Sequence, residues 1–456
     1  MFRLDLGPSR RYCDGMSRRS FLTLGVAGMA HSGLTQLLRS GESADTKKNT
    51  PVNLHPKTIA VIATVYRRWS HADVIAGKIL EGYNHDGGAG PNLKLVSMYV
   101  DQTPEKDMSR ALAKKHGFTI FRTIADALTL GGDKLAVDGV LCIGEHGNYP
   151  KNAKGQILYP RRRFFEEVCK VFEKSKKSVP VFMDKHLSAT WTDAKWIYDK
   201  ARELSVPLLA GSSLPLTWRR PQLRLPLNCP LVEAVQVGYG PFEGYGFHAL
   251  EALQCMAERR KGGETGVQSV QCLQGEAMWE ALDKGRWSKP LLDAALERVP
   301  AHAKDDIRKA TAKSDDAGLF LIAYRDGFRA AVVLPNGWIH EGDGGGFTFA
   351  GQLKGEDKPR ATHFYLQQPD PFAHFGYLVK AIDSMIQTGR APYPVQRTLL
   401  TTGILDAVMT SKSENHRRVE TPHLAIRYQP TDYPFAMGPV PKAIKRHGSA
   451  KSSKGS

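Results

Sequence analysis

From Lys57 to Ser213 one pattern recurs: a short apolar run, a polar turn, then an amphipathic stretch at helical spacing. Thr58–Thr64, Lys94–Val100, Phe118–Phe121, Val137–Ile143, Val179–Met183 and Val206–Ala210 read as strands. His71–Leu80, Met108–His116, Phe164–Phe172 and a stretch with Ala194, Ile197, Ala201 and Leu204 on one stripe read as helices. Strands alternating with helices imply a parallel sheet with helices on both faces, an α/β fold. In such a sheet ligands sit at the carboxyl ends of the strands. The residues delivered there are Asp101, Glu145 with His146, and Asp184-Lys185-His186.

After a proline-rich connector, Leu214–Pro230, the pattern changes. Val232–Val237 and Val267–Leu273 read as strands on either side of a helix from His248 to Arg260. Gly318–Tyr324, Phe328–Leu334 and Trp338–His340 are apolar runs separated by Asp326-Gly327 and Asn336-Gly337, which are strong hairpin signals. Thr348–Leu353 and Thr362–Leu366 continue the meander, so the second half is α+β with an open antiparallel sheet. Asp370-Pro371 opens a helix carrying Phe375, Leu378, Ile382 and Ile386 that stops near Gly389, and Val395–Met409 reads as a last helix.

The ends of the chain read differently. Ser17-Arg18-Arg19-Ser20-Phe21-Leu22, followed by a short apolar run, resembles a twin-arginine export signal. Residues 1–55 are therefore expected to be signal and linker, with the twin-arginine translocase as transient partner and the periplasm or cell envelope as destination. Residues 437–456 are basic and rich in Ser and Gly, and are expected to be disordered. The formal charge of +17 would suit a polyanion, but the basic residues stand in separate clusters with acids between them and no nucleic-acid motif beside them. No interior run of apolar residues is long enough to span a bilayer. The cysteines form no CxxC pair and no zinc spacing with histidine, and the five beyond Cys13 are an odd number, which points to buried thiols and no complete disulfide framework.

Residues 57 to 430 resemble the glucose-fructose oxidoreductase, inositol dehydrogenase and rhizopine-catabolism (Gfo/Idh/MocA) family. The likeness rests on a Rossmann-like half at 56–215, and on Asp184-Lys185-His186 where a Glu-Lys-Pro belongs. It rests also on Gly246-Phe247-His248-Ala249-Leu250-Glu251 where Gly-x-His-x-x-Asp belongs, and on a sheet-bearing substrate and oligomerisation half at 216–436. The resemblance implies an oxidoreductase of sugars, sugar acids or cyclitols that uses NAD or NADP, and a homo-oligomer formed through the C-terminal sheet. It implies Lys185 beside the reacting hydroxyl and His248 as acid/base. It further implies Ala63, Thr64, Val65, Arg67, Asp101 and Glu145 at the dinucleotide, with His146, Asp184, His186 and Tyr245 at the substrate.

Two departures keep other readings open. The Gly-x-Gly-x-x-Gly turn is replaced by Ala63-Thr64-Val65-Tyr66-Arg67-Arg68, and the acid expected four residues before His248 is Gly244, with Glu243 one position away. A cofactor-independent or metal-dependent lyase or epimerase of oxidised sugars on the same scaffold, or a non-catalytic carbohydrate-binding protein, fits the sequence as well. The histidines and carboxylates show no diagnostic metal-ligand spacing, and no metal is expected.

Overall fold

The computed structural model describes residues 55–339, 342–368 and 370–444. The export motif, the linker through residue 54, His340 and the basic stretch from residue 445 lie outside them.

The alternation of apolar runs builds one parallel six-stranded sheet: β1 (Lys57–Ala63), β2 (Leu93–Val100), β3 (Thr119–Phe121), β4 (Gly139–Ile143), β5 (Val181–Asp184) and β6 (Leu208–Gly211). The order is β3-β2-β1-β4-β5-β6. Helices α1 (His71–Glu81), α2 (Ser109–His116), α3 (Ile124–Thr129), α4 (Arg161–Ser175) and α5 (Trp191–Glu203) connect the strands. The buried β4, Gly-Val-Leu-Cys-Ile, is apolar on both faces because both are covered. Between β1 and β4 the order reverses, so the connections leave in opposite directions and a crevice opens at the strand ends.

The second sheet has eight strands in the order β14-β9-β10-β11-β8-β12-β13-β7. They are β7 (Trp218–Arg220), β8 (Leu231–Val237), β9 (Val267–Gln274), β10 (Gly318–Tyr324), β11 (Arg329–Leu334), β12 (Gly344–Leu353), β13 (Arg360–Leu366) and β14 (Val419–Glu420). The sheet is mostly antiparallel, as expected, except that β8 and β11 run parallel. Helix α6 (Gly244–Ala257) carries the chain from β8 across to the start of β9, and two antiparallel returns then bring β11 beside β8 in the same sense. The Asp326-Gly327 hairpin forms between β10 and β11. Asn336-Gly337 does not make one: Trp338 bonds back to Pro335 in a turn, and β12 pairs with β8 instead. Trp338 stacks on His302 at 4.1 Å, an apolar residue packing a loop rather than marking a strand. The connector holds the edge strand β7, paired with β13.

Three helices between β9 and β10 were not read from the sequence: α7 (Glu276–Asp283), α8 (Lys289–Leu296) and α9 (Ile307–Thr311). Helix α8 packs on β8, β12 and β13, while α6 packs on β8, β11 and β12. Along β12 residues of both alternating sets are buried, so both faces of the sheet's centre are covered. Leu321, Ala323 and Arg329 are among the sheet residues that remain partly or fully exposed.

The two halves share their cores. Helix α10 (Ala373–Thr388) sends Leu378, Ile382, Met385 and Ile386 into the cluster formed by Ile59, Val61, Leu95 and Leu141 of the first sheet. Helix α11 (Gln396–Ser413) is tied to the end of α6 by the fully buried pair Arg397–Glu258, at 2.9 and 2.6 Å. Cys142, Cys169, Cys229, Cys255 and Cys272 are buried free thiols. No helix among the described residues is long and apolar enough to cross a membrane.

Candidate active site

A cavity of about 370 Å³ opens at the carboxyl ends of β1, β4 and β5, against the start of α6 and strand β12. Lys185, His248, Glu145, His146, His186 and Tyr245 all line it. Lys185 and His146 both have positive φ, 61° and 68°. A non-glycine residue in that region costs of order 1–3 kcal/mol and persists only where its surroundings impose it. Lys185 directly follows β5, and His146 lies in the loop just after β4.

The charges form a chain. Glu145 lies between two cations, Lys185 Nζ at 2.9 Å from Oε1 and Arg161 Nη2 at 2.8 Å from Oε2. Burial opposes its charge, but Lys185 and Arg161 hold the carboxyl well below the usual carboxylate range. Thr64 Oγ1 donates to the Glu145 carbonyl at 2.6 Å and so fixes the loop after β4 to the end of β1. Arg161 Nη1 also reaches His186 Nε2 at 3.1 Å. Burial first, then the neighbouring Arg161, push His186 well below its ordinary range, so its ring is neutral.

Asp184 is buried and does not line the cavity itself. Its Oδ2 lies 2.7 Å from Nδ1 of His71, the first residue of α1, which does. The two atoms lie at ion-pair distance without meeting hydrogen-bond geometry, and a carboxylate beside Nδ1 favours a proton on that nitrogen. His248 Nδ1 lies 2.6 Å from Ser212 Oγ, and the same oxygen accepts the Leu214 N–H at 3.1 Å. The hydroxyl keeps its own proton to offer to Nδ1, an arrangement that puts the ring's proton on Nε2. Burial, followed by the charge on Lys185, holds that ring well below its ordinary range. Two imidazoles, His71 beside Asp184 and His248 beside Ser212, therefore line one cavity with the Lys185 side chain between Glu145 and the crevice.

His71, Arg161, Ser212, Glu243 and His374 were not singled out as site residues. His71 was within reach of sequence reasoning, since it opens the first helix after a parallel strand, where ligands meet the sheet. Arg161 was not: it heads the Arg161-Arg162-Arg163 run, which reads as a solvated cluster. Glu243, out of register in sequence, accepts the Ile157 N–H with both oxygens and lines the cavity. Burial raises its pKa. Among the described residues no group of three or more ligating side chains is placed to hold a metal.

The residues expected at a dinucleotide are arranged otherwise. Of Ala63, Thr64, Val65, Arg67, Asp101 and Glu145, only Glu145 lines the cavity. The turn after β1 buries Val65 and Tyr66, where a glycine turn would leave backbone bare for a pyrophosphate. Its carbonyls are bonded onward, Thr64 O to Gln102 N at 2.8 Å and Tyr66 O to Met108 N at 2.7 Å. At the start of α1 the chain supplies its own anion: Asp73 Oδ2 accepts the Trp69 N–H at 2.9 Å, and Ser70 caps the Asp73 N–H. Asp101, expected on a ribose hydroxyl, accepts from Tyr99 and Arg163 on Oδ1 and from Tyr149 on Oδ2, at 2.6, 2.5 and 2.7 Å. These groups do not fit an NAD or NADP.

No family model and no curated protein matches the sequence. The fold matches that of GenD2 from gentamicin A biosynthesis, solved in complex with NAD. The two chains are 14% identical, the match covers 80% of this chain and 96% of that one, and the TM-score is 0.50. A probable dehydrogenase from Thermotoga maritima matches at 13% identity over 80% and 99% of the two chains, TM-score 0.49. Scyllo-inositol dehydrogenase from Lactobacillus casei, with NAD(H) and scyllo-inositol bound, matches at 11% over 80% and 98%, TM-score 0.48. At these identities the likeness is one of fold, the two-domain fold of Gfo/Idh/MocA-type oxidoreductases.

Proposed function

We propose that this chain is a proton-transfer enzyme for a small carbohydrate or cyclitol derivative, working on an oxidoreductase-type scaffold without a dinucleotide. The observation that carries the reading is the meeting of His71–Asp184, His248–Ser212 and Lys185–Glu145 on one cavity. His71 Nε2 takes a proton from the substrate, and Asp184 stabilises the imidazolium that forms. His248 offers a proton from its Nε2, and the Lys185 ammonium favours negative charge on a substrate oxygen. Trp69, Tyr239, Tyr245, Phe347 and Phe375 supply ring faces of the kind that stack on sugars. The reaction class is epimerisation, isomerisation or elimination. The competing reading, hydride transfer to NAD or NADP, is favoured by the fold shared with GenD2.

One preparation separates the two. Protein purified in folded form is denatured and the released small molecules are identified by mass spectrometry. The native protein is then incubated in D2O with aldoses, ketoses, sugar acids and cyclitols. The expected results are no NAD or NADP, and enzyme-dependent deuterium at one carbon of a substrate, slowed about 10²- to 10⁴-fold in His71→Asn. Stoichiometric dinucleotide, or no exchange with any of the panel, would overturn the reading.

A further inference from the structure

One wall of the cavity, Leu366, Gln368, Phe372, His374 and Phe375, stands on the end of β13, the start of α10 and the short link between them. The backbone of such a link finds its hydrogen-bond partners outside itself. Gln367, 3% exposed, ties it in two directions: its Oε1 accepts the Ala373 N–H at 3.0 Å, and its Nε2 donates to the Pro441 carbonyl at 2.5 Å. Pro441 belongs to residues 436–444, which cross the surface without helix or strand. Among the other ties of that run are Ala436 N–H to Leu216 O at 2.8 Å, Trp218 Nε1–H to Gly438 O at 3.1 Å, and Ile444 N–H to Asp370 O at 3.0 Å. The bonds of Pro441 and Ile444 thus both land on the link. Asp370 also accepts the Trp69 indole N–H on Oδ2 at 3.0 Å, and Trp69 lines the cavity. From Met437 to Ile444 no residue is buried, so this run is kept in place by a few bonds and the packing of Val440, without a core of its own.

We propose that residues 436–444 are a clasp on the substrate cavity, with Gln367 the positioning residue through which they set its aromatic wall. The groups assigned to proton transfer are held from elsewhere, Lys185 by Glu145 and His248 by Ser212. His71, beside Asp184, meets the wall at the Phe375 ring, 5.3 Å between centroids. The clasp therefore governs how closely Trp69, Phe372 and Phe375 close on the substrate, more than the proton transfers themselves. The inference rests on the proton-transfer reading and adds to it a determinant of substrate grip. Contacts made equally to substrate and transition state act on KM and leave kcat alone. Loosening the clasp should accordingly weaken binding before it slows turnover.

The test is hydrogen–deuterium exchange, read by mass spectrometry, on the full-length chain and its Ile444→Pro and Gln367→Met variants. Ile444→Pro removes only the clasp's N–H to Asp370 and alters no side chain of the wall. In it, peptides covering 366–375 should exchange about tenfold faster, as the loss of a hydrogen bond from a surface run implies, while those covering 181–216 and 244–257 stay as in wild type. Gln367→Met should do the same or more. With whichever sugar of the D2O panel exchanges, KM in Ile444→Pro should rise about threefold or more and kcat change by less than about twofold. Unchanged exchange at 366–375, a uniform rise along the whole chain, or a fall in kcat as large as that in kcat/KM overturns the inference. Should Gln367→Met not fold, Ile444→Pro decides. If no sugar exchanges, the proton-transfer reading has failed, and the local exchange at 366–375 still decides the clasp.

Discussion

At the scale of single residues, the site depends on side chains kept neutral by burial next to charges kept in place by partners. His146, His363 and His374 are pushed from 6.5 to about 4, 4 and 3, chiefly by burial. Their folded pKa values lie below their unfolded ones, so the unfolded chain binds more protons and stability falls as pH drops below 6.5. Each contributes up to about 1.4 kcal/mol per pH unit between 6.5 and its folded value. Melting temperature against pH should therefore decline from 6.5 to 4, and a flat profile would contradict the burial of these rings. Gly211 is a second sensitive point. It pairs with Lys185 at φ 123°, and a Cβ there would stand 2.5 Å from Glu251 Oε2 and 2.9 Å from Thr398 Oγ1. Gly211→Ala should cost roughly 1–3 kcal/mol or more in urea denaturation and displace Ser212, whose Oγ orients His248. Lys185 was drawn from its place at the carboxyl end of a parallel strand and His248 from the family resemblance, and both line the cavity. Arg161 and Ser212 were not legible in the sequence, since what gives them a role is a contact across the fold that no local pattern records.

Among elements, the strands of the parallel half were read closely, because a strand buried on both faces leaves an unbroken apolar run, while the short helix Ile124–Thr129 went unread. The antiparallel half was read less well. Asn336-Gly337 signals a turn but not which strand comes next, and the parallel contact between β8 and β11 follows from a crossover over α6 that only the assembled sheet reveals. Helices α7 to α9 went unread because they interrupt what looked like a continuous meander. They also yield a prediction. Replacing 276–311 by a short polar linker would uncover the apolar centre of the sheet that α8 shields, and light scattering should then show larger assemblies than the intact chain gives under the same conditions. Between α6 and α11, removing the charge of Arg397 would strand Glu258 in a fully buried position. Arg397→Met should cost about 3–5 kcal/mol by chemical denaturation, and a loss below about 1 kcal/mol would show that the pair is relaxed by water.

At the scale of the whole molecule, export is an expectation that the described residues do not touch. If Ser17-Arg18-Arg19-Ser20-Phe21-Leu22 is a twin-arginine signal, replacing Arg18 and Arg19 by Lys should hold the protein inside the cell on fractionation. Unchanged distribution would remove the translocase as a partner. One feature of the fold bears on the order of events before any such journey. The first sheet begins at Lys57, yet the layer that closes its core is α10, at Ala373–Thr388, with Ile386 packed against Gly139. A ribosome making this chain releases every strand of that sheet long before the helix that seals it. The nascent N-terminal half must therefore wait, incomplete, until Ala373–Thr388 has emerged, which leaves one face of its sheet uncovered meanwhile and makes the emerging chain a natural client for chaperones.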